Sequence, residues 1–176
     1  MIRMEFNSVE LPACRHGYYF REKKDTDPIR ARLFRVCAFN WSKSTTLEGV
    51  RLICEQMEPG PTDGHGRSQT CLPVPLRVMH DRSERLSRSQ EGVTLHPEER
   101  CYFDVVASLI VPGVQPLLVV AVEDLAISLI AGRSVLTLAL YAKNVQSERK
   151  EFVVDVDEDG DLLFYSQQAP SPAQAQ

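Results

Sequence analysis

Hydrophobic and polar residues alternate with a period of two along most of this chain, the pattern of a half-buried β-strand. The alternation is clearest at 101–109, 134–143 and 152–156. Five further segments have strand character: 30–40, 50–55, 115–122, 125–130 and 161–165. No stretch keeps a helical period over three turns. The pattern therefore predicts an all-β fold, a two-sheet antiparallel β-sandwich of about eight strands.

Breaks in the pattern divide the chain into three parts. Residues 1–28 form an N-terminal segment with a possible extra strand at 17–22, and residues 29–165 form the β-sandwich domain. Residues 166–176 contain mostly Gln, Ala, Pro and Ser, which predicts a disordered tail. Within the domain, Pro73 and Pro75 limit residues 72–78 to an edge strand, because proline donates no ladder hydrogen bond.

The charge distribution argues against a nucleic-acid partner. The net charge is −4, and residues 101–176 hold four Lys or Arg against ten Asp or Glu. Proteins that bind nucleic acids need a basic surface, and here only residues 1–35 carry an excess of basic side chains. We therefore expect a partner protein and no nucleic acid.

Cysteine usage and hydropathy predict a cytoplasmic protein that does not enter a membrane. The five cysteines are odd in number and widely spaced, which makes a poor disulfide framework. The start of the chain has no signal-peptide pattern. Residues 105–122 are uncharged, but Pro and Gly at 112–116 interrupt them, which favours two buried strands and a turn over a membrane span.

The strand from 30 ends in Asn40 before a polar turn, and a Cys-x-Phe-x-Val strand follows at 101–105. Later come Leu136-Thr-Leu138-Ala-Leu140 and the hairpin at 152–164. In this order of features, residues 30–165 resemble immunoglobulin-like or fibronectin-like β-sandwich modules of bacterial type. The resemblance implies a sandwich fold and a binding role, and it implies no particular activity.

An acidic motif near the C-terminus has two interpretations. Asp155, Asp157 and Asp159, followed by Gly160, match the start of a calcium-binding loop. The twelfth position of such a loop is Ser166 here, where the bidentate Glu is expected. The alternative is an acidic β-hairpin with an Asp-Gly turn. We favour the hairpin and predict no resident metal or cofactor.

Catalytic patterns are incomplete. Zinc ligands would have to come from Cys14 with His16, or from His65 with Cys71, and neither pair has the usual close spacing. Ser68 lies in a fragment of a nucleophile-elbow motif that lacks its last glycine and a following helix. The sequence therefore indicates no catalytic residues.

Candidate partner contacts lie in one aromatic segment and two long loops. Tyr18, Tyr19 and Phe20 are adjacent aromatic residues that either pair with another chain or form the first strand of the domain. His65 lies in the loop at 57–71, whereas Arg82 and Arg85 lie in the loop at 80–92. Loops of this length commonly carry binding residues.

Three functional hypotheses follow from these features. The first is a non-catalytic interaction module that holds a partner protein through sheet edges or loops. The second is a hydrolase or carbohydrate-active domain that uses the sandwich as a platform, with His65 or His80 in a pocket. The third is a structural subunit of a larger assembly that docks by its 17–22 strand.

Overall fold

The computed structural model describes residues 1–6, 14–19, 29–61, 67, 71–79, 87–111, 113–122, 125–143, 145–159 and 161–167. Within these ranges the chain forms thirteen strands and one short helix. The strands are β1 Ile2–Glu5, β2 Cys14–Tyr19, β3 Ile29–Asn40, β4 Leu47–Glu58, β5 Val74–Pro75, β6 Arg77–Val78, β7 Val93–Leu95, β8 Arg100–Leu109, β9 Leu117–Leu118, β10 Ile127–Ser128, β11 Gly132–Ala142, β12 Val145–Val156 and β13 Leu162–Ser166. The helix α1 spans Ser87–Gln90.

The first sheet is built around the antiparallel pair β3 and β8. Strands β1 and β2 pair with β3 at successive positions of the same edge, with Glu5 opposite Cys37 and Cys14 opposite Phe34. The far edge of β8 is shared by β6 and β9, and β10 pairs with β9. Residues 14–19 are therefore a strand of this sheet and overlap the strand predicted at 17–22 over residues 17–19, whereas residues 20–22 lie outside the described residues.

The second sheet has the order β13, β12, β11, β4, with β5 and β7 on the far side of β4. Its longest ladder joins β11 to β12, from Gly132 opposite Val156 to Ala142 opposite Val145. Strands β12 and β13 form a hairpin in which Val154 lies opposite Phe164. The hairpin predicted for the acidic motif is thereby confirmed.

The core lies between the two sheets, since alternate residues of the long strands point inward. The first sheet contributes Val36 and Phe103, and the second sheet contributes Leu52, Leu138 and Phe152. These side chains are almost fully buried, and each large apolar side chain transferred from water contributes about 1.5–3 kcal/mol. The predicted all-β fold with two packed antiparallel sheets is confirmed.

The proline-rich segment passes from one sheet to the other. The Leu76 N–H donates to Leu52 O of the second sheet at 2.9 Å, and the Arg77 N–H donates to Val119 O beside the first sheet at 3.1 Å. Pro73 and Pro75 come just before the residues 76–77 at which the chain passes from one sheet to the other. Both prolines are at the margin of the sheets, so the predicted edge strand is confirmed as two short pieces, β5 and β6.

The predicted bounds of three strands, 115–122, 125–130 and 152–156, were wrong. The strands expected at 115–122 and 125–130 contain only the two-residue pieces β9 and β10. Most of the remaining backbone makes isolated hydrogen bonds to neighbouring segments and no continuous ladder. Conversely, β12 begins at Val145, seven residues before the predicted start. Its first half is polar, and sequence alternation alone therefore did not reveal it.

The polar half of β12 protects the free edge of β1. The Met4 N–H donates to Glu148 Oε2, and Lys150 Nζ donates to the Met4 carbonyl oxygen. The two side chains also form an ion pair, with Lys150 Nζ 3.2 Å from Glu148 Oε1. They satisfy the backbone groups of Met4 that a neighbouring strand would otherwise bond, which is one way to block edge-to-edge pairing.

Candidate functional site

Most of the contact residues predicted from the sequence lie outside the described residues. These are Phe20, His65, Arg82 and Arg85. Tyr18 and Tyr19 end β2, where their backbones lie opposite Arg30 and Ile29 of β3. The hypothesis of a pocket with His65 or His80, and with it a hydrolase or carbohydrate-active domain, stays a prediction.

The acidic hairpin uses its carboxylates to shape the turn. Asp157 Oδ1 accepts the N–H groups of Asp159 at 3.0 Å and of Asp161 at 2.8 Å. Asp155 instead lies within β12, opposite Arg133 and Leu163. Among the described residues, no three His, Cys, Asp or Glu side chains are grouped to hold a metal ion.

Cys37, Cys54 and Cys101 form no disulfide bond. Burial raises the pKa of Cys54 to about 12, and burial raises that of Cys37 to about 12. Both thiols therefore stay protonated at neutral pH and are poor nucleophiles. Cys37 and Cys101 lie on neighbouring strands but on opposite faces of the first sheet, since Cys101 is opposite the core residue Ala38.

A row of cations and aromatic rings crosses the outer face of the first sheet. The strand register places Arg3 opposite Phe39, and Phe39 opposite Arg100. Phe39 faces outward because Val36 and Ala38 occupy the core and strand side chains alternate. Trp41 follows the end of β3 and joins this group. We call Arg3, Phe39, Trp41 and Arg100 the cation–aromatic row.

Ring contacts hold the row together. The guanidinium carbon of Arg3 is 4.6 Å from the centre of the Trp41 ring, and that of Arg100 is 3.9 Å from the centre of Phe39. The two aromatic rings meet edge to face at 5.2 Å. Arg100 Nε is also 3.3 Å from Glu5 Oε2. Trp41 nevertheless keeps 51% of its surface exposed.

A buried asparagine fixes the backbone beneath Trp41. Asn40 Nδ2 donates to the carbonyl oxygens of Thr45 at 2.8 Å, Leu95 at 3.1 Å and His96 at 3.0 Å. Its Oδ1 accepts the Ser42 N–H at 3.1 Å. The Trp41 N–H donates to Met1 O at 3.0 Å. The exposed ring is therefore presented from a rigid backbone.

A buried ion pair lies on the same face, two rows from Phe39. Arg35 Nε donates to Asp104 Oδ1 at 2.6 Å, and their side chains are only 4% and 8% exposed. Arg77 lies opposite Asp104 on β6. Its Nε is buried without a hydrogen-bond partner, while its Nη2 donates to Val120 O at 3.4 Å. Two arginines thus flank one buried carboxylate in this sheet.

The outer face of the second sheet carries an open groove of about 470 Å³. Its lining residues are Arg51, Ile53, Glu55, Gln56, Pro73 and Tyr141. Arg149 donates to Glu55 through Nε at 2.8 Å and through Nη2 at 3.0 Å, and the Tyr141 hydroxyl also donates to Glu55. Glu55 lies on β4, Tyr141 on β11 and Arg149 on β12, three adjacent strands of the sheet.

These bonds fix the charge states in the groove. Hydrogen bonds from Arg149 hold the pKa of Glu55 below its usual range, and the bond to Glu55 raises the pKa of Tyr141. At neutral pH Glu55 is therefore ionised and Tyr141 is neutral.

Comparison of the chain with protein-family models, curated proteins and solved structures gave no match. No helix in the described ranges has the length and apolar character needed to span a membrane. The predicted cytoplasmic location and immunoglobulin-like topology stay predictions.

Sequence reasoning missed the cation–aromatic row. Three of its members, at positions 3, 39 and 100, lie on separate strands and Trp41 follows the end of β3, so no local motif joins them. The available signal was a lone tryptophan placed directly after a strand. Tryptophan is common both in cores and at interfaces, and only the folded structure shows whether its ring is buried.

Proposed function

We propose that this protein is a non-catalytic β-sandwich module that binds a partner protein through the cation–aromatic row. The observation that carries the proposal is Trp41, a half-exposed tryptophan held in place by Arg3, Phe39 and the Asn40 anchor. Tryptophan and arginine are the residue types most enriched among binding hot spots. A ring that is already ordered also loses little conformational entropy on binding.

The chemistry of the row specifies the partner surface. The Trp41 ring supplies apolar area. The flat face of the Arg3 guanidinium stacks on that ring, which leaves the N–H groups at the rim of the guanidinium available to a partner. Glu5 balances the charge of Arg100. The partner we expect presents an apolar pocket for the indole and a carboxylate or carbonyl group for Arg3.

Substitution of Trp41 tests the proposal. Tagged wild-type protein and the Trp41→Ala and Ile130→Ala variants are used to capture proteins from native lysate, and bound proteins are quantified by mass spectrometry. Ile130 is the matched control, since it is an apolar side chain of similar exposure away from the row. We expect Trp41→Ala to weaken capture of a stoichiometric partner by about tenfold or more, because hot-spot truncations cost at least about 2 kcal/mol.

The control decides how the result is interpreted. Ile130→Ala is expected to retain the partner at the wild-type level. Equal capture by all three proteins would show that the row is not the binding surface. Capture of no partner by the wild type would reject the interaction module itself.

A further inference from the structure

The two edge strands at one side of the sandwich are treated differently. The edge of β1 is closed by Glu148 and Lys150, whose side chains bond the Met4 backbone. Strand β13 ends the second sheet and pairs only with β12 among the described strands. Residues 162–167 read Leu-Leu-Phe-Tyr-Ser-Gln, with no charge and no proline. Edge strands usually carry such protection, and an edge without it is suited to pairing with another strand.

Backbone hydrogen bonds show which groups of β13 face outward. The Gln167 N–H donates to Glu151 O, and the Asp157 N–H donates to Asp161 O. Both pairs fit the observed β12–β13 register, so odd-numbered residues of β13 bond inward to β12. The N–H and C=O groups of Leu162, Phe164 and Ser166 therefore point to the free edge.

We propose that β13 is a homodimerisation edge, at which two copies of this chain pair antiparallel about a two-fold axis at Phe164. In this register Phe164 faces Phe164 of the second copy, and Leu162 faces Ser166. These are the residues with outward backbone groups, so the pairing forms about six backbone hydrogen bonds. The inference does not depend on the cation–aromatic row.

The exposed side chains of β13 are self-complementary in this register. Leu163 is 66% exposed and Tyr165 is 38% exposed, and both lie on the outer face of the sheet. A two-fold axis at Phe164 places Leu163 of each copy opposite Tyr165 of the other. Such non-hydrogen-bonded pairs have the closest side chains in an antiparallel ladder, where aromatic–aliphatic contacts are favourable. Leu163 and Tyr165 of each copy are thus covered by the other copy.

Charge favours the antiparallel arrangement of the two copies over the parallel one. The turn before β13 carries Asp157, Glu158, Asp159 and Asp161. In the antiparallel dimer Asp161 lies opposite the neutral Gln167, and the two acidic turns lie at opposite ends of the paired strands. A parallel arrangement would place the two turns side by side, where like charges repel.

Sedimentation velocity of the full chain over a range of concentrations tests the proposal. We expect the wild type to be dimeric at about 0.1 mM and to dissociate on dilution. The Leu163→Lys/Tyr165→Lys variant places Lys opposite Lys twice, and we expect its dissociation constant to rise about tenfold or more. The Leu163→Lys/Tyr165→Glu variant differs only at 165 and places Lys opposite Glu, so dimerisation is expected to recover.

Ser166→Pro is an independent backbone test, because it removes an outward N–H group and leaves the bonds to β12 intact. We expect it to weaken the dimer, while circular dichroism confirms that every variant is folded. A wild-type protein that stays monomeric at about 0.1 mM would overturn the proposal. Equal association of the Lys/Lys and Lys/Glu variants, or a dimer that Ser166→Pro does not affect, would overturn it as well.

Discussion

The two outer faces of the sandwich carry similar residue types in different surroundings. On the first sheet, Arg35 and Asp104 form an ion pair that is nearly free of solvent, close to the cation–aromatic row. On the second sheet, Glu55 and Arg149 form a bidentate pair beside an open groove, and the Arg149 side chain is 53% exposed. Both faces contain arginine, a carboxylate and an aromatic ring.

Burial makes the two ion pairs physically different. A buried carboxylate must keep its cationic partner, because an unpaired buried charge destabilises the folded protein by several kcal/mol. An exposed pair exchanges its contacts for water at little cost. The first face is therefore a rigid platform beneath Trp41, whereas the second face is a solvated surface whose side chains can rearrange. The substitutions below test this difference, from the largest expected effect to the smallest.

Removal of the buried carboxylate should have the largest effect. Asp104→Ala leaves Arg35 charged and unpaired in the sheet, and we expect a loss of about 3–5 kcal/mol in the free energy of unfolding. Urea denaturation measures this loss. Glu55→Ala on the opposite face is the matched control and should change stability far less. Similar losses for both variants would contradict the difference between the faces.

Loss of the Asn40 anchor should follow. Asn40→Ala leaves the buried carbonyl oxygen of Leu95 and the partly buried carbonyl oxygen of His96 without their side-chain donor, and we expect a loss of about 2–3 kcal/mol. Trp41 is the only tryptophan of the chain, so its fluorescence anisotropy reports on the row directly. The anisotropy should fall in the variant. An unchanged anisotropy would show that Asn40 does not order the ring.

Loss of the cation from the Trp41 ring should be a smaller change. Arg3→Ala removes one partly exposed cation–π contact, and we expect a loss of about 0.5–1 kcal/mol in the free energy of unfolding. The Trp41 emission maximum should move to longer wavelength, because the ring gains contact with water. Arg51→Ala is a control on the other face, and a shift of equal size there would contradict the assignment.

The weakest effect should appear in the pH dependence of the second face. The folded-state pKa of Glu55 is lowered by Arg149, so the pair contributes stability above the unfolded pKa of about 4.3. That contribution is lost as the pH falls through the lower folded pKa. The stability difference between wild type and Glu55→Gln should thus be present at neutral pH and vanish in acid. A difference that grows in acid would contradict the sign of the shift.

The sequence predicted those parts of the fold in which alternation and burial agree. The long strands around Phe103, Leu138 and Phe152 and the hairpin at 152–165 were predicted because every second side chain enters the core. The first half of β12 was missed because Glu148 and Lys150 occupy inward positions, where they bond the backbone of β1. In the sequence, charged residues at these positions are typical of a loop. In the structure they protect the edge of β1.

The candidate site was less accessible to sequence reasoning. Arg3, Phe39 and Arg100 meet only through the register of three strands, and register is a property of the folded sheet. The aromatic segment at 18–20 and the loops with His65 and Arg82 were chosen for local composition. Local composition reports on exposure, and it does not report on which distant side chains become neighbours.

The most direct test of binding through the first face is site-specific photo-crosslinking. A photoreactive amino acid replaces either Lys43, an exposed residue close to Trp41, or Gln56, an exposed residue that lines the groove of the second sheet. Each protein is irradiated in native lysate. We predict a discrete crosslinked partner from position 43 that disappears when Trp41→Ala is added, and none from position 56. A partner crosslinked from position 56 alone would contradict the account.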